Sequence, residues 1–429
     1  MSSLLITLIV CGIIGIFSIV SIIAYLFTTL GKNVEELQIE SKIPSPADGQ
    51  LLYDIAASSG SAPVHFPVDD EIVTDNEVFF QKLCDDIDSA KHHIAIATYV
   101  WDDDSFSKKL FTKLESAVKR DVMVRLLFDG HGSDVSKETI SRLRSAGIKC
   151  STFRPLQLGG LSVYMARTHR RVYLFDHTHG YIGGSAITRK WFTNKLKDDH
   201  PYSDVMYRVT GELLSHLAGS FGELWAATTG EIPLAIASAE NKRKPNEQIN
   251  SVYLSHSPRK DIHQLSYFFW TALFSAKREI FICTPYFVPG KVIRALLLQK
   301  QKAGVQVTIL TQGTSEIPYV QAASRSHYPE LLESGVRIYE HTKPHLHTKL
   351  ALIDSDITIL GSANIDIRSQ RINQENVLAV QSQPFTIRNW QYVSTLLQDS
   401  KQITHSEFEK YPLYRRAFDK LILQLSEQL

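Results

Sequence analysis

His347-Thr348-Lys349-Leu350-Ala351-Leu352-Ile353-Asp354 is the stretch that decides the fold. An earlier stretch, His169-Arg170-Arg171-Val172-Tyr173-Leu174-Phe175-Asp176, repeats its spacing, and the two copies lie 178 residues apart at both ends (347 − 169 and 354 − 176). Each copy supplies an imidazole, a cation two residues on and a carboxylate five residues beyond that. In an extended segment, positions i and i+2 point to one face. His347 and Lys349 are therefore expected to aim into one pocket, and so are His169 and Arg171. One imidazole can attack a phosphorus, the other can protonate the leaving oxygen, and the cations can hold the phosphate.

A lone histidine on a strand is ordinarily structural, so the weight rests on the duplicated context. Copy one reads as a helix over about 77–90, a strand from Ile94 to Val100, a helix with Leu110, Leu114 and Val118 on one face, and a strand from Val122 to Phe128. Copy two reads as a helix ending at Lys277, a strand from Ile280 to Thr284, a helix from Ile293 to Lys302 and a strand from Val305 to Leu310. In each copy a further helix follows, closed by Gly147 or Gly335, where a left-handed residue stops a helix. Then come a short strand and the histidine motif, which is expected to end a strand. Alternating strands and helices imply an α/β sheet covered on both faces.

Each motif is followed by a short apolar strand and a turn of small residues, Gly183-Gly184-Ser185 in one copy and Gly361-Ser362-Ala363-Asn364 in the other. Small residues let backbone N–H groups and a hydroxyl approach a phosphate closely. A later carboxylate, Asp204 or Glu375, is placed to bond an imidazole Nδ1 and leave Nε2 aimed at phosphorus. Asp176 and Asp354 complete the motif and stand in the candidate catalytic set. Their place at strand ends suits anchoring a turn, or the backbone of the other half, more than touching substrate.

Apolar residues make up 44% of the 429, enough for packed cores, and the length suggests two domains. The formal net charge of +1 gives no global field to recruit nucleic acid. The only basic and aromatic cluster, Arg189, Lys190, Trp191, Lys195 and Lys197, suits anionic headgroups equally well, so no nucleic-acid partner is expected. Four scattered cysteines without a CxxC pair argue against a disulfide framework or a zinc site. Residues 4–30 carry no charged side chain, and 4–28 is long enough to span roughly 30 Å of hydrocarbon as a helix. No basic residue precedes this run and it exceeds a signal-peptide core, so an uncleaved single-pass anchor is expected. The expected plan is anchor 4–28, polar tether 31–63, first half 64–230, linker 231–249 and second half 250–429 with a terminal amphipathic helix from Leu413 to Leu429. Tyr267 to Phe274 reads as the buried face of a helix.

The chain resembles the phospholipase D superfamily, and within it the bacterial cardiolipin synthases of the phospholipase D type. The resemblance spans about residues 64–385. Beyond the histidine motifs it rests on Ala97-Thr98-Tyr99-Val100-Trp101, Phe128-Asp129-Gly130-His131-Gly132-Ser133, Thr284-Pro285-Tyr286-Phe287-Val288-Pro289, the run from Leu331 to Glu340, and Gly361-Ser362-Ala363-Asn364-Ile365-Asp366-Ile367-Arg368-Ser369. It implies two tandem phospholipase D-like α/β sandwich halves meeting at a pseudo-twofold active site, beside the transmembrane helix. It also implies a metal-free, cofactor-free, two-step phosphatidyl transfer at a bacterial inner membrane. His169 would be the nucleophile and His347 the acid/base, with the reverse assignment physically open. Lys349, Arg171, Asn364 and Ser362 would bind phosphate oxygens, with Ser185 a substitute in the first half. The donor would be phosphatidylglycerol. The apolar loop Leu156 to Tyr164 favours a lipid site.

Two positions depart from the family pattern: Arg171 stands where it has Lys, and Ala186 where it has Asn. Arg keeps the charge but has a planar fork. Ala removes a donor, and Ser185 or Thr188 are candidate replacements. Two alternatives to transfer stand: a phosphodiesterase, in which water instead of an alcohol reaches the phosphohistidine, and, motivated by Arg171 and Ala186, a membrane-anchored relative that binds phospholipid without turnover.

Overall fold

The computed structural model describes residues 50–68, 71–155, 166–192, 201–233, 248–258, 263–315, 317–343 and 345–409. The expected anchor, most of the tether and linker, the loop from Leu156 to Tyr164 and the expected terminal helix lie outside the described residues. Among the described residues, no helix is long and apolar enough to cross a membrane.

Each half is built on a mixed sheet. The first has seven strands in the order Ile72–Val73, Met206–Val209, His179–Gly183, Val172–Phe175, His93–Thr98, Met123–Asp129 and Lys149–Phe153. The second has nine, in the order Ala62–Val64, Ser251–His256, Glu375–Gln381, Ile357–Gly361, Leu350–Ile353, Glu279–Cys283, Gln306–Gln312, Arg337–His341 and Ser400–Ile403. The helix-connected strands expected from the repeat are parallel, His93–Thr98 with Met123–Asp129 and Glu279–Cys283 with Gln306–Gln312. The strands after each histidine motif are antiparallel hairpins. Their turns put Asp176 and His177 at φ 50° and 57°, and Asp354 and Ser355 at φ 54° and 57°. Two consecutive left-handed residues form the turn that matches strand twist.

Strand alternation builds the layers. Ile94 and Ile96 face an outer core shared with Leu110, Phe111 and Leu114 of the helix Ser105–Val118. Their neighbours Ala95 and Ala97 face inward, toward a core that also holds Phe281, Cys283, Leu352 and Leu360 of the second half. Ile280 and Ile282 repeat the pattern, facing the second half's outer core with Ile293 and Leu297. The two sheets thus share one central apolar layer, closed by the helices Gly211–Thr229 and Gln383–Gln398. The expected buried helix is Gln264–Phe274, with Phe268, Phe269, Ala272 and Leu273 in the core.

Two expectations change. The stretch from residue 51 to 64, read as part of the tether and the start of the first half, is ordered against the second half. Leu51–Ser59 is a helix that buries Leu51, Leu52 and Ile55 beside Phe268 and Phe269. Ala62–Val64 adds an edge strand to Ser251–His256. Averaging composition over the tether hid this short apolar face. Nor do the histidines end strands. His169 and His347 lie in extended lead-ins, and strands begin at Val172 and Leu350. The aspartates end those strands.

Candidate active site

The two halves are stitched together at the histidines. The His169 backbone N–H donates to the Gln374 carbonyl at 2.9 Å and the Gln374 N–H donates to the Arg167 carbonyl at 2.8 Å. The His347 N–H donates to the Ser203 carbonyl at 2.9 Å and the Ser203 N–H to the His345 carbonyl at 2.9 Å. Each pairing sets a histidine beside the residue that precedes the other half's carboxylate. The result is a crossed arrangement. His169 Nδ1 lies 3.0 Å from both Oε1 and Oε2 of Glu375. His347 Nδ1 lies 2.6 Å from Asp204 Oδ2. A carboxylate on Nδ1 holds the proton there and leaves Nε2 to act.

The cations follow the i, i+2 expectation. Lys349 Nζ donates to the His347 carbonyl and sits 3.2 Å from His347 Nε2. An Arg171 Nη1 N–H donates to the His169 carbonyl in the corresponding place. Burial, then the neighbouring Arg171 and Lys349 charges, hold His169 well below the usual imidazole range. Burial and Lys349 likewise bring His347 down to about 3, against the pull of Asp204. Burial lowers Lys349 to about 7 and raises Glu375 to about 7. Asp204 is also pushed up by burial, but His347, Lys349 and the Trp191 N–H together keep it below the usual carboxylate value. Neutral imidazoles beside buried cations suit an arriving anion, which offsets the cost of keeping those cations dry.

The expected residues divide. His169, His347, Arg171, Lys349, Asp204 and Glu375 come together, all at most 8% exposed or with 12% side-chain exposure for His347. The Ser362 hydroxyl donates to Glu375 Oε2, so it orients the carboxylate. Asn364 is buried with Oδ1 lacking a hydrogen-bond partner among the described residues. Ser185 points out of the site, its hydroxyl 3.3 Å from Asn76 Oδ1. Asp176 and Asp354 lie outside the site. Asp176 accepts the N–H groups of Lys91, His92 and His93, and Asp354 those of Lys277, Arg278 and Glu279. Each anchors the start of a strand of its own half, His93–Thr98 or Glu279–Cys283, not the other half.

Trp191 was missed as a site residue. Its indole N–H donates to Asp204 Oδ2 at 3.1 Å, and its ring stands edge-on to His347 with centroids 4.9 Å apart. It does for Asp204 what Ser362 does for Glu375. The position equivalent to Ser362, 178 residues earlier, is Gly184, where a Cβ would lie 2.4 Å from Asp204 Oδ1. Sequence offered only the missing hydroxyl as a sign that another donor was needed. Tyr99 lies edge-on to His169, centroids 5.3 Å apart.

Two histidines from tandem halves, each backed by a carboxylate of the other, define a phospholipase D-like enzyme. A family profile described as "Cardiolipin synthase, PLD-like domain" matches residues 83–225 and 270–397. Cardiolipin synthase 2 of Bacillus anthracis is 32% identical over 384 residues, 89% of this chain and 74% of that protein. The cardiolipin synthase of Halalkalibacterium halodurans is 30% identical over 391 residues, 89% of this chain and 76% of that protein. The crystal structure of a phosphatidylserine synthase from Haemophilus influenzae superposes with a TM-score of 0.68 at 15% identity, covering 88% of this chain and 99% of that one, a likeness of fold. The chain belongs to the cardiolipin synthase family of phospholipase D-type phosphatidyltransferases.

Proposed function

We propose that this chain transfers a phosphatidyl group from one phosphatidylglycerol to a second, giving cardiolipin and glycerol, through a phosphohistidine. The observation that carries the reading is the crossed pair of carboxylate-backed imidazoles, 3.0 Å from Glu375 and 2.6 Å from Asp204. Nε2 of His169 attacks the phosphodiester phosphorus, and the bond to the glycerol oxygen breaks. The bound phosphodiester anion, together with Asp204, favours uptake of a second proton on Nε2 of His347; the imidazolium gives that proton to the departing glycerol oxygen, and the neutral Nε2 then takes the proton of the incoming hydroxyl, which displaces His169. Arg171, Lys349 and Asn364 hold the phosphoryl oxygens, with Ser185 not among them. No cofactor enters these steps. The relatives' names support the substrate class. An apolar anchor over 4–28 suits a bilayer substrate, and the setting is the inner membrane of a bacterium. The aromatic of the basic cluster with a face to stack on a base, Trp191, is only 2% exposed, which favours a lipid over a nucleic acid.

The test is a mixed-micelle assay of the full chain with phosphatidylglycerol, beside His169→Ala and His347→Ala. Cardiolipin with glycerol, lost in both variants, supports the transferase. Phosphatidic acid without cardiolipin assigns the protein to hydrolysis. No product, together with tight lipid binding, means a site that has lost its chemistry.

A further inference from the structure

The internal repeat differs from itself at two positions that the proposed reaction, through the second half's Lys349 and Asn364, assigns to the phosphate. Lys349 and Asn364 of the second half correspond, 178 residues back, to Arg171 and Ala186. The surrounding register is the same in both halves. Tyr173 pairs with Tyr181 and Leu350 with Leu360, which continue to Arg171 opposite Gly183 and Lys349 opposite Gly361. The first half has therefore lost an amide donor and gained a guanidinium within one frame.

Neither neighbouring hydroxyl takes over. Ser185 Oγ is directed at Asn76 Oδ1, and Thr188 Oγ1 donates to Asp102 Oδ2 at 2.5 Å. Ala186 is wholly buried in the outer apolar core with Trp101 and Ile187. Arg171 has donors to spare. Its Nη1 N–H makes the contact to its histidine's carbonyl that Lys349 Nζ makes in the other half. That is the only hydrogen bond of its guanidinium among the described residues, and its Nε is buried without a partner. Its charge faces both imidazoles. A guanidinium has five N–H donors in a rigid fork, which can meet two oxygens of one phosphate. We infer that Arg171 alone supplies the two phosphate contacts that Lys349 and Asn364 divide between them in the second half, and that Arg171 and Ala186 are a compensating pair. This rests on the phosphoryl-transfer reading above but not on the identity of the lipid.

The test is a double-mutant cycle in the full chain: Arg171→Lys, Ala186→Asn and the double variant. Turnover is read with phosphatidylglycerol and, separately, with bis(p-nitrophenyl) phosphate, and orthovanadate affinity by calorimetry. Arg171→Lys should lower turnover by ~10², the loss of one transition-state donor. Ala186→Asn should also lower it, because with Arg171 retained the added amide has no oxygen left to serve and is buried in an apolar core. The double variant should recover at least ~10-fold over Arg171→Lys, a coupling expected only of groups sharing one task. A double variant no better than Arg171→Lys while melting like the parent overturns the pairing. So does an Arg171→Lys variant that keeps both turnover and vanadate affinity. If Ala186→Asn does not fold, Ala186→Ser in the Arg171→Lys background and vanadate affinity of Arg171→Lys alone decide in the same way. If the parent cleaves the aryl diester with this variant pattern but makes no cardiolipin, the lipid reading falls and the pairing stands.

Discussion

Glu375 is 206 residues from His169 in the chain and 3.0 Å from its Nδ1. The partner of each active imidazole belongs to the opposite half, so neither half holds a complete acid–base pair. Glu375→Gln and Asp204→Asn keep the shape but present an amide that can bond the wrong tautomer. Each is expected to lower kcat by ~10²–10⁴ with little change in KM. Steady-state kinetics on the two variants check this. A KM effect alone would mean that the carboxylates bind lipid instead of orienting histidine.

Trp191→Phe keeps the ring beside His347 and removes the N–H that reaches Asp204 at 3.1 Å. The loss of a hydrogen bond to a buried charge costs about 1.5–3 kcal/mol. A kcat fall of ~10-fold or more, with the melting temperature lowered by a few degrees, is expected. Gly184→Ser should not rescue it, because its Cβ would meet Asp204 at 2.4 Å.

Glu375 stands at about 7 and Lys349 at about 7, both moved there chiefly by burial. Glu375 must be ionised to hold the His169 Nδ1 proton, so kcat/KM falls as pH drops through its value. Lys349 must be charged to hold phosphate, so kcat/KM also falls as pH rises through its own. The profile should be a narrow bell centred near neutrality, its limbs belonging to the coupled site. In Lys349→Arg the alkaline limb should move upward at a lower plateau. Unmoved limbs would assign the titration elsewhere.

Asp176 and Asp354 should matter for stability and not for turnover. Each accepts three backbone N–H groups at the start of the strand His93–Thr98 or Glu279–Cys283. Asp176→Ala or Asp354→Ala should cost about 1–3 kcal/mol in denaturant unfolding, with kcat/KM of the folded fraction unchanged. Burial pushes Asp176 up, but the backbone donors outweigh it and leave it below its ordinary value of 3.8. With the folded value depressed, its stabilisation is present above the ordinary value and lost as pH falls through the depressed one. Unfolding measured down the acid range should show this difference shrink between parent and Asp176→Ala. A tenfold loss of kcat at unchanged stability would put these carboxylates in the chemistry instead.

The duplicated sheet was legible because its signals are local. Apolar strands at period two, helices closed by Gly147 and Gly335, and a motif of fixed spacing all act within a few residues. The same locality explains the tether. A helix as short as Leu51–Ser59 gains its stability from Phe268 and Phe269, more than 200 residues away, and nothing in its own composition announces them.

His169, His347 and their two cations were readable because i and i+2 of an extended segment must share a face. Glu375 and Asp204 were readable as carboxylates in the right region, but not as partners exchanged between halves. Ser362 and Ser185 occupy turns that look alike in sequence, yet one hydroxyl orients Glu375 and the other meets Asn76. The amino-acid sequence by itself determined the two half-sites and their chemistry, because residue type and strand period are properties of the chain. Only the tertiary structure decided which carboxylate serves which imidazole and that Trp191 stands in for a hydroxyl. Those contacts join residues brought together by the shared apolar layer between the sheets, and no spacing along the chain encodes them.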